Sequence, residues 1–424
     1  MVAAGFVGLS LTVAIVTPPW EANDEPDHAR NVETLRRGDW YRITRDSGLE
    51  SNQPPLYYLA LAGYAELTGV PSNPTEPASL RTHDDLIENP GVFKHNVSQD
   101  GVDTGYVRRL RIPSVALGLT TVLLTAATAA LVSSDRWTPV VAAATCAFVP
   151  RFVFLSGVMN NDNLANTLAA LAIFLAVMLV VRPGSPRREF WLCVALGGTC
   201  GAMVLTKAST YLLLPGVVLA LVLAARRQPD TLQRLATLGV ITVGTAFLVA
   251  GWWLGLTTHW YGDPVAAGAN HDHYAEVAPL LVIGAGSADA LFVELPKTFW
   301  RSFWYTSGWN KFRWGAWWYL PFWALLVGGL AGLARRAPKP TTPTGAVPVL
   351  VVLALGGPAA VFALATTTKT SQGRIAFVSL AAIATLYALG TERLRVPVAA
   401  RFVLPAIGVI GTAIALDDHV FIYS

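Results

Sequence analysis

Charged residues are scarce in this chain of 424 residues. Asp, Glu, Lys and Arg make up 14% of it, whereas hydrophobic residues make up 53%. A soluble domain usually carries about 25% charged residues, so the composition excludes an ordinary soluble globular protein and predicts a polytopic membrane protein. The formal charge of +4 does not indicate nucleic-acid binding, because the positive residues fall in short loops between apolar runs, where membrane topology places them.

Cysteines are few and nucleotide-binding patterns are missing. The three cysteines each lie inside an apolar run: Cys146, Cys193 and Cys200. Their spacing predicts neither a disulfide framework nor a zinc site. The sequence also lacks Walker, Rossmann and Ser-His-Asp signatures, so it gives no local support to a nucleotide-driven enzyme or a hydrolase.

Apolar runs long enough to span a membrane dominate what is present. A spanning helix needs about 20 mainly apolar residues, and this criterion predicts about eleven spans. The runs are spread along the whole chain, which indicates one all-α transmembrane domain over residues 1–424. The predicted spans lie near residues 2–18, 110–132, 137–157, 163–181, 190–206, 210–225, 235–256, 316–334, 346–366, 375–390 and 402–416.

The distribution of charge between the loops predicts how the chain is oriented. Four arginine-rich loops, at 182–188, 226–234, 335–339 and 393–401, fall on the same side as the N-terminus in the eleven-span scheme. Cytoplasmic loops carry an excess of Lys and Arg. The N-terminus is therefore predicted to be cytoplasmic, whereas all histidines and nearly all acids fall on the external side.

Two predicted external segments are long, at about 19–109 and about 257–315. Loops longer than about 15 residues without structure are uncommon unless they are functional. The first segment is predicted to carry short interfacial helices, near 27–37 and 54–68. The second is rich in aromatic residues, which are typical of membrane interfaces; a wall that stacks on sugars or flanks a lipid chain is the functional alternative.

A group of acids directly follows the first predicted span. Glu21, Asp24, Glu25 and Asp27 lie within seven residues, and His28 comes next. An acid at a helix N-terminus is favoured by the helix dipole, so capping explains one of them. Crowded carboxylates raise one another's pKa, and such a group can act as a general base or bind a divalent cation.

Several other polar residues lie at the external ends of predicted spans. Asn161 and Asp162 could begin the next helix as a cap or contact a polar substrate. Lys207 and Arg374 are cations at membrane-boundary depth that suit a phosphate, although long cationic side chains there can also snorkel. Arg151 lies within a span, where an ionisable side chain is a functional candidate by default, with snorkelling as the alternative.

These elements occur in an order that resembles a known family. They are Pro-Pro-x-Glu-x-x-Asp-Glu-Pro-x-His at 18–28, Glu-Ser-Asn-Gln-Pro-Pro-Leu-Tyr-Tyr at 50–58, Asn161-Asp162, Thr206-Lys207, Tyr-Gly-Asp-Pro at 261–264 and Gln-Gly-Arg at 372–374. The chain resembles the GT-C superfamily of integral-membrane glycosyltransferases. The likeness is strongest to the bacterial branch related to dolichyl-phosphate-mannose protein mannosyltransferases, and it implies a GT-C-like fold.

The resemblance implies a reaction and a division of roles. The donor would be a polyprenyl-phosphate sugar, and no nucleotide would be needed. An acid of the first external loop would be the general base, by motif match Asp24, with Glu25 as its competitor. The sugar, a hexose or a pentose, would transfer with inversion to a hydroxyl group. Lys207 and Arg374 would hold the departing lipid phosphate.

The same resemblance implies further substrate contacts and a cellular location. The substrate-binding candidates are His28, Gln53, Tyr57, Asn161, Asp162, Lys207, Gln372 and Arg374. The acceptor stays open between a glycan, a lipid and a protein, and so does a divalent metal ion as cofactor. The expected partners are membrane lipids and no nucleic acid, and the expected location is the bacterial inner membrane with an extracytoplasmic active site.

A transporter or lipid flippase is the competing hypothesis, with a structural subunit as the third. Transporters bury their polar residues near the middle of the membrane, on broken helices that often occur in repeated halves. Here the polar residues gather in loops on one side. This arrangement favours chemistry at the membrane surface.

Overall fold

The computed structural model of the protein describes most of the chain. The described residues are 1–20, 22, 24–44, 47–72, 104–182, 184–227, 229–278, 282, 287–306, 313–335, 345–368 and 372–423. Within these ranges the structure is helical, and one isolated β-bridge joins Val282 to Thr368. The predicted all-α class is thereby confirmed.

Seventeen α-helices follow one another along the described residues. They are α1 (Val2–Val16), α2 (Glu25–Arg36), α3 (Leu56–Leu67), α4 (Thr104–Val132), α5 (Thr138–Ala147), α6 (Pro150–Ser156), α7 (Asp162–Val181), α8 (Pro186–Val204), α9 (Leu214–Ala225), α10 (Thr231–Tyr261), α11 (Ala267–Val277), α12 (Leu295–Ser302), α13 (Leu320–Ala331), α14 (Ala346–Ala365), α15 (Leu380–Arg393), α16 (Val398–Arg401) and α17 (Val403–Tyr423). Tighter 3₁₀ turns precede or join several of them, at Leu49–Asn52, Ala208–Leu213, Ala316–Tyr319, Gly332–Ala334 and Gly373–Ser379, and a π-helical turn covers Ala290–Glu294.

The protein is a multi-pass membrane protein. Among the described residues, seven helices are long and apolar enough to cross a membrane, or eight if the bent pair α5 and α6 forms one span. Two further apolar helices are shorter, at Val2–Val16 and Val403–Asp417. Every predicted span falls on a helix, but the predicted count of eleven is not confirmed, since the remaining helices are shorter or carry more charge.

The third predicted span, at 137–157, is broken in the middle. Helices α5 and α6 meet at an angle of 68°, and Pro150 is the first residue of the second helix. Proline cannot donate the backbone hydrogen bond that would continue the helix, and its ring collides with the preceding turn. The next amide, of Arg151, donates instead to the carbonyl of Trp304 at 2.7 Å.

The helices pack closely because small residues lie at their contacts. Gly390 of α15 lies so near α13 that a Cβ added there would be 1.9 Å from the carbonyl oxygen of Gly329. Membrane helices associate through such close backbone approaches rather than through a hydrophobic driving force. Two large clusters of buried apolar side chains fill the bundle, one around α5, α6 and α15 and the other around α7, α8 and α14.

The two ends of the bundle differ in chemistry. At one end, the arginine-rich loops cover helix termini: Arg227 donates to the carbonyl of Leu179 at 3.3 Å, and Arg393 to that of Leu333 at 3.0 Å. At the other end, α2, α3 and the turn Leu49–Asn52 lie over the bundle. Helices α2 and α3 occupy the positions predicted for interfacial helices, near 27–37 and 54–68.

Candidate active site

A cavity of about 740 Å³ opens at the end of the bundle that carries α2 and α3. Its polar walls include Asp24, Glu50, Gln53, Asn270, Gln372, Lys207 and Arg374. Its apolar walls come from the helices α10 and α14 and from the turn before α9, with Leu212, Leu254, Ala360, Ala363 and Leu364. The cavity therefore joins a charged compartment to a surface suited to a hydrocarbon chain.

Asp24 lies at the polar end, immediately before α2. It occupies the N-cap position, but its carboxylate caps no backbone amide. Its backbone is left-handed, with φ of 66°, a conformation that Asp adopts more readily than most residues. The carboxylate instead forms an ion pair with the Nη2 atom of Arg374. Capping, the structural alternative for this acid, therefore does not describe its side chain.

Arg374 lies between two carboxylates. Its Nη2 binds Asp24, and its Nε is 3.7 Å from Oδ2 of Asp162. The preceding residue, Gly373, allows this placement: its amide donates to Ser302 Oγ at 2.7 Å, and an added Cβ would lie 2.3 Å from the amide nitrogen of Phe303. The Gln-Gly-Arg motif thus needs its glycine because the backbone passes directly against the end of α12.

Lys207 joins the same network from the turn between α8 and α9. Its Nζ lies 2.6 Å from Oδ1 of Asp162 and donates to Oδ1 of Asn161 at 3.1 Å. Nδ2 of Asn161 donates in turn to Oε1 of Gln53 at 3.0 Å. The Asn-Asp pair was expected either to cap α7 or to contact a substrate. Asn160 Oδ1 accepts the amide of Asp162 at 2.9 Å, so the Asp162 carboxylate is left for the cations.

Backbone contacts fix the Gln-Pro-Pro-Leu segment against the lysine turn. The amide of Leu56 donates to the carbonyl of Leu205 at 2.8 Å, two residues before Lys207. The hydroxyl of Tyr41 donates to the carbonyl of Gln53 at 3.0 Å. The amide of Ile43 donates to the hydroxyl of Tyr261, at the end of α10, at 2.9 Å. These hydrogen bonds hold the segment at 41–56 across the cavity.

His28 and Tyr57 lie behind the cavity rather than in its walls. His28 Nδ1 is 2.9 Å from the hydroxyl of Tyr58, and its ring meets that of Tyr57 edge-on. Burial lowers the pKa of His28 to about 3 in spite of the nearby Asp24 carboxylate. His28 is therefore neutral at neutral pH, and Nε2, which has no hydrogen-bond partner in the described structure, faces the interior.

Glu25, adjacent to Asp24, points in another direction and is fully buried. Arg111 of α4 donates to both carboxylate oxygens, from Nε at 2.8 Å and from Nη2 at 2.6 Å. The amides of Trp20 and Met159 donate to the same carboxylate at 3.2 and 3.1 Å. Both oxygens are thus occupied, and the described cavity walls do not include Glu25.

Arg111 also closes the end of α1. Its guanidinium donates to the carbonyls of Ala14, Thr17 and Pro18 at 3.0, 2.6 and 3.1 Å. The last carbonyls of a helix have no partner within the helix and need one elsewhere. This buried arginine was not among the sequence candidates. The signal that could have identified it is a charged residue at the edge of an apolar run, at the same depth as the acid cluster.

Glu50 is a second acid of the cavity wall, and it was not a predicted catalytic residue. Its carbonyl accepts a hydrogen bond from Asn31 Nδ2 at 2.9 Å, which fixes the turn. The residue is 8% exposed, and no described residue donates a hydrogen bond to its carboxyl group. Burial, with the negative charge of Asp24 as the next cause, raises the pKa of Glu50 to about 8.

Asp24 has the opposite electrostatic environment. Burial alone would raise its pKa, but the charge and hydrogen bond of Arg374 lower the pKa of Asp24 to about 2. The two carboxyl groups of one cavity therefore differ in protonation at neutral pH: Asp24 is ionised and Glu50 is mostly protonated. Environments that separate the pKa values of two acids in this way are typical of acid–base sites.

Arg151 lies deep in the bundle at the bend between α5 and α6. It is 1% exposed, so it does not snorkel to a membrane interface. Its Nε and Nη1 atoms have no hydrogen-bond partner within the described structure, and its guanidinium lies 5.3 Å from the ring centre of Phe154. The cavity walls do not include it, although its charge interacts with those of Arg374 and Asp24.

The remaining predicted residues differ in their positions: one motif forms a turn, one residue lines the cavity, and one acid pairs with a nearby arginine. The Tyr-Gly-Asp-Pro motif at 261–264 turns the chain from α10 into α11, and its Asp263 carboxylate accepts the amides of Val265 and Ala267 at 2.9 and 2.6 Å. Gln372 lines the cavity, and its buried Oε1 has no partner in the described structure. Glu21 lies outside the described residues. Asp27 pairs with Arg30 at 3.0 Å.

A divalent cation stays a prediction of the acid cluster. In the described ranges, no three His, Cys, Asp or Glu side chains converge on a point where they could hold a metal ion. Asp24 and Asp162 already face Arg374 and Lys207. These residues do not form a ligand set by themselves.

The chain resembles the GT-C integral-membrane glycosyltransferases in part of its sequence and in its fold. A sequence model of the dolichyl-phosphate-mannose-protein mannosyltransferase family matches residues 55–260, just under half of the chain. The matched range includes Asn161, Asp162 and Lys207 and begins after Asp24. The predicted resemblance is thereby confirmed. A comparison with curated protein sequences found no significant match.

Solved structures show which proteins share the fold. ArnT from Cupriavidus metallidurans bound to undecaprenyl phosphate superposes with a TM-score of 0.52 and 16% identity, and its apo state with 0.55 and 13%; each comparison covers 99% of this chain and 73% of ArnT. The Archaeoglobus fulgidus oligosaccharyltransferase in complex with Zn and sulfate gives a TM-score of 0.52 at 13% identity. That match covers 100% of this chain, which spans about half of the archaeal protein, 53%. At these identities the likeness concerns the fold alone.

Proposed function

We propose that the protein is a glycosyltransferase that moves a sugar from a polyprenyl-phosphate donor to a hydroxyl group. One observation carries the proposal: two cations and an ionised carboxylate share the polar end of a cavity whose other walls are apolar. A lipid-linked phosphate sugar combines a charged group with a long hydrocarbon chain, and the cavity combines the surfaces that would bind each. The fold shared with ArnT, which binds undecaprenyl phosphate in its solved complex, supports this donor class.

Lys207 and Arg374 are the residues proposed to hold the donor phosphate. Arg374 forms ion pairs with Asp24 and Asp162, and Lys207 with Asp162. Their charges are thus pre-positioned and partly neutralised before any donor binds. Charge-assisted hydrogen bonds from Arg and Lys to phosphate oxygens are short and strong. The apolar wall at Leu212, Leu254 and Leu364 would contact the first prenyl units.

Asp24 is proposed as the general base. It is ionised at neutral pH and lines the cavity, whereas the neighbouring acid Glu25 is enclosed by Arg111. The acceptor oxygen attacks the anomeric carbon as the carbon–oxygen bond to the phosphate breaks. The hydroxyl proton passes to Asp24, and the electron pair leaves with the lipid phosphate. Attack opposite the leaving group inverts the anomeric centre.

Binding of the donor phosphate would also change the proton affinity of Asp24. Arg374 now stabilises the ionised form of Asp24 and makes it a weak base. A phosphate that draws Arg374 away would raise the affinity of Asp24 for a proton. General bases work best when their pKa approaches the working pH, so donor binding and base strength are linked in this arrangement.

The membrane orientation is proposed from the chemistry of the two ends of the bundle. Short arginine-rich loops are typical of the cytoplasmic face, and the cavity lies at the opposite end. The active site is therefore proposed to lie at the extracytoplasmic face of a bacterial inner membrane, with the N-terminus in the cytoplasm. The acceptor would be a glycan, a lipid or a protein of the cell envelope, and the sugar a hexose or a pentose.

A donor panel tests the proposed function. Purified protein in lipid nanodiscs is incubated with polyprenyl-phosphate hexoses and pentoses and with nucleotide sugars, and released polyprenyl phosphate is measured. At least one lipid-linked sugar should be consumed without any nucleotide sugar. Release that depends strictly on a nucleotide sugar, or no release from any lipid-linked donor while lipid is moved between leaflets, would overturn the proposal in favour of another enzyme or a flippase.

A further inference from the structure

The polar end of the cavity has a second side, formed by the turn Leu49–Asn52 and helix α11. Glu50 comes from the turn, and Asn270 and Tyr274 come from the helix. None of the three belongs to the ion-pair network of Lys207 and Arg374. These residues take no part in the proposed reaction, although they line the same cavity as Asp24.

Two of these side chains have unused hydrogen-bonding capacity. Glu50 as a whole residue is more than nine-tenths buried, and its carboxyl group, at the cavity wall, receives no hydrogen bond from the described residues. Oδ1 of Asn270 is also buried without a partner there. Buried polar groups are nearly always satisfied by protein or bound molecules, so two unsatisfied groups in one cavity wall indicate a polar ligand.

The charge balance shows which kind of ligand fits. Lys207 and Arg374 carry two positive charges, and Asp24 and Asp162 carry two negative charges beside them. An ionised Glu50 would add a third negative charge where a donor phosphate must also bind. A protonated Glu50 avoids this repulsion and can both donate and accept a hydrogen bond.

Groups on several helices and turns face Glu50 and affect the pKa of its carboxyl group. Asp24 and Asp27 at the start of α2 and burial favour the protonated form, whereas Lys207 and Arg374 oppose it. Tyr58 of α3 and Tyr274 of α11 are the phenol groups that face it, and the pKa of each is raised well above its usual value by burial first and by Glu50 next. Both phenols therefore stay neutral.

We infer that Glu50 and Asn270 form a subsite for the hydroxyl groups of an uncharged sugar. A neutral carboxyl group and a carboxamide each offer a donor and an acceptor, which suits vicinal hydroxyls. Tyr41 and Tyr261 line the same space and supply aromatic surface. The inference rests on the proposed function, and it names the chemistry of one substrate: a carbohydrate ring beside Asp24, belonging to the acceptor or to the donor.

The test measures binding rather than turnover, so it is independent of the donor panel. Full-length protein in nanodiscs is titrated with methyl glycosides of neutral hexoses and pentoses, and saturation-transfer NMR reports binding at about pH 6 and about pH 9.5. Wild-type protein should bind at least one glycoside. Its affinity should fall severalfold at the higher pH, because the protonated fraction of Glu50 drops about tenfold per pH unit above its pKa.

Matched variants of Glu50 make the result decisive. Glu50→Gln keeps a neutral donor and acceptor, so it should bind the glycoside with the same affinity at both pH values. Glu50→Leu should lose binding at both, and Asp39→Asn, which alters an exposed acid outside the cavity walls, should keep it. No binding by the wild type, unchanged binding by Glu50→Leu, or loss of binding by Glu50→Gln would each overturn the inference.

A last titration separates the two sources of the ring. The glycoside is added to protein saturated with undecaprenyl phosphate, and then to Asp24→Asn protein saturated with the donor sugar that the panel identifies. A glycoside displaced by the donor sugar assigns the subsite to the transferred sugar. A glycoside that binds beside the donor assigns it to a glycan acceptor. Glycoside binding without any sugar transfer would leave this subsite intact and overturn only the proposed reaction.

Discussion

Asp24 and Glu25 are neighbours in the sequence but lie in different parts of the molecule. Asp24 opens into the cavity and pairs with Arg374, which is 350 positions away in the chain. Glu25 is enclosed in the bundle and pairs with Arg111, which is 86 positions away. One acid is at the boundary of a space that a substrate can enter. The other holds α1, α2 and α4 together.

The comparison shows that the partner decides what each acid does. A buried ion pair in which every oxygen is used mainly fixes a structure, and breaking it leaves an uncompensated charge. The pair of Asp24 and Arg374 lies at a cavity wall, where a substrate phosphate can replace one member. The position of the arginine that each acid pairs with therefore determines whether that acid has a structural or a catalytic role.

The largest expected effect is on turnover in Asp24→Asn. Loss of a general base typically lowers the rate by about 10²–10⁴-fold, and we expect a fall in this range with unchanged folding. Release of polyprenyl phosphate from the lipid-linked donor measures it. Binding of undecaprenyl phosphate should be equal to that of the wild type or tighter, because Arg374 is freed.

The control for this variant is Asp39→Asn, which alters an exposed acid of the same external segment. It should leave turnover unchanged. A wild-type rate in Asp24→Asn would remove Asp24 from the mechanism.

The next effect is on stability in Glu25→Gln. Removing one member of a buried charged pair costs about 3–5 kcal/mol, because Arg111 keeps its charge in the interior. The unfolding midpoint in detergent should fall strongly, with less protein folded. Glu66→Gln is the control, since its pair with Arg36 lies at the surface, with the Glu66 side chain 64% exposed, and such pairs contribute about 0–1 kcal/mol. Equal midpoints for the two variants would contradict the structural role of Glu25.

A smaller effect, on lipid phosphate binding, is expected when the two cationic side chains proposed to hold the phosphate are replaced one at a time. Lys207→Met and Arg374→Met should each weaken undecaprenyl phosphate binding by about 10–100-fold, because hydrogen bonds to charged groups contribute about 1.5–3 kcal/mol. Fluorescence titration in nanodiscs measures the change. Lys297→Met, an exposed lysine beside Glu294 on α12, is the control and should bind as the wild type does. Unchanged binding in both cation variants would place the phosphate elsewhere.

The smallest effect concerns pH. His28 is neutral in the folded protein because burial lowers its pKa to about 3, below the ordinary value of 6.5. The unfolded chain therefore binds a proton that the folded one does not. Stability is full above about pH 6.5 and falls as the pH drops toward 3, by up to about 1.4 kcal/mol per pH unit. His28→Gln should flatten this slope in unfolding experiments between pH 7 and 5, and an unchanged slope would assign it to other groups.

The sequence predicted where the helices lie better than how they meet. Apolar length located every span, but it did not show the 68° bend at Pro150, because a single run of 21 residues fits either one span or two short helices. The same run did not show whether Arg151 is buried or snorkels, because the depth of its side chain depends on neighbours far along the chain. The length of an apolar run does not show whether the chain changes direction within that run.

The sequence predicted most of the charged residues that belong to the candidate site, but it did not predict which of them form ion pairs with each other. Asp24, Asp162, Lys207 and Arg374 were recognisable because charged residues at the ends of apolar runs are costly. The ion pair of Asp24 and Arg374 joins segments from the two ends of the chain, and no local pattern determines such a contact. Glu50 was part of a recognised motif, yet its missing partners became visible only once the cavity wall was assembled.

The most direct test of the central claim compares Asp24→Asn and Glu25→Gln in one assay of sugar transfer per folded molecule. Folded protein is counted by gel filtration and by binding of undecaprenyl phosphate, and single-turnover release of the lipid phosphate is then followed. We expect the folded fraction of Glu25→Gln to transfer sugar at close to the wild-type rate, whereas fully folded Asp24→Asn should not. A folded Glu25→Gln that is inactive, beside an active Asp24→Asn, would contradict the central claim.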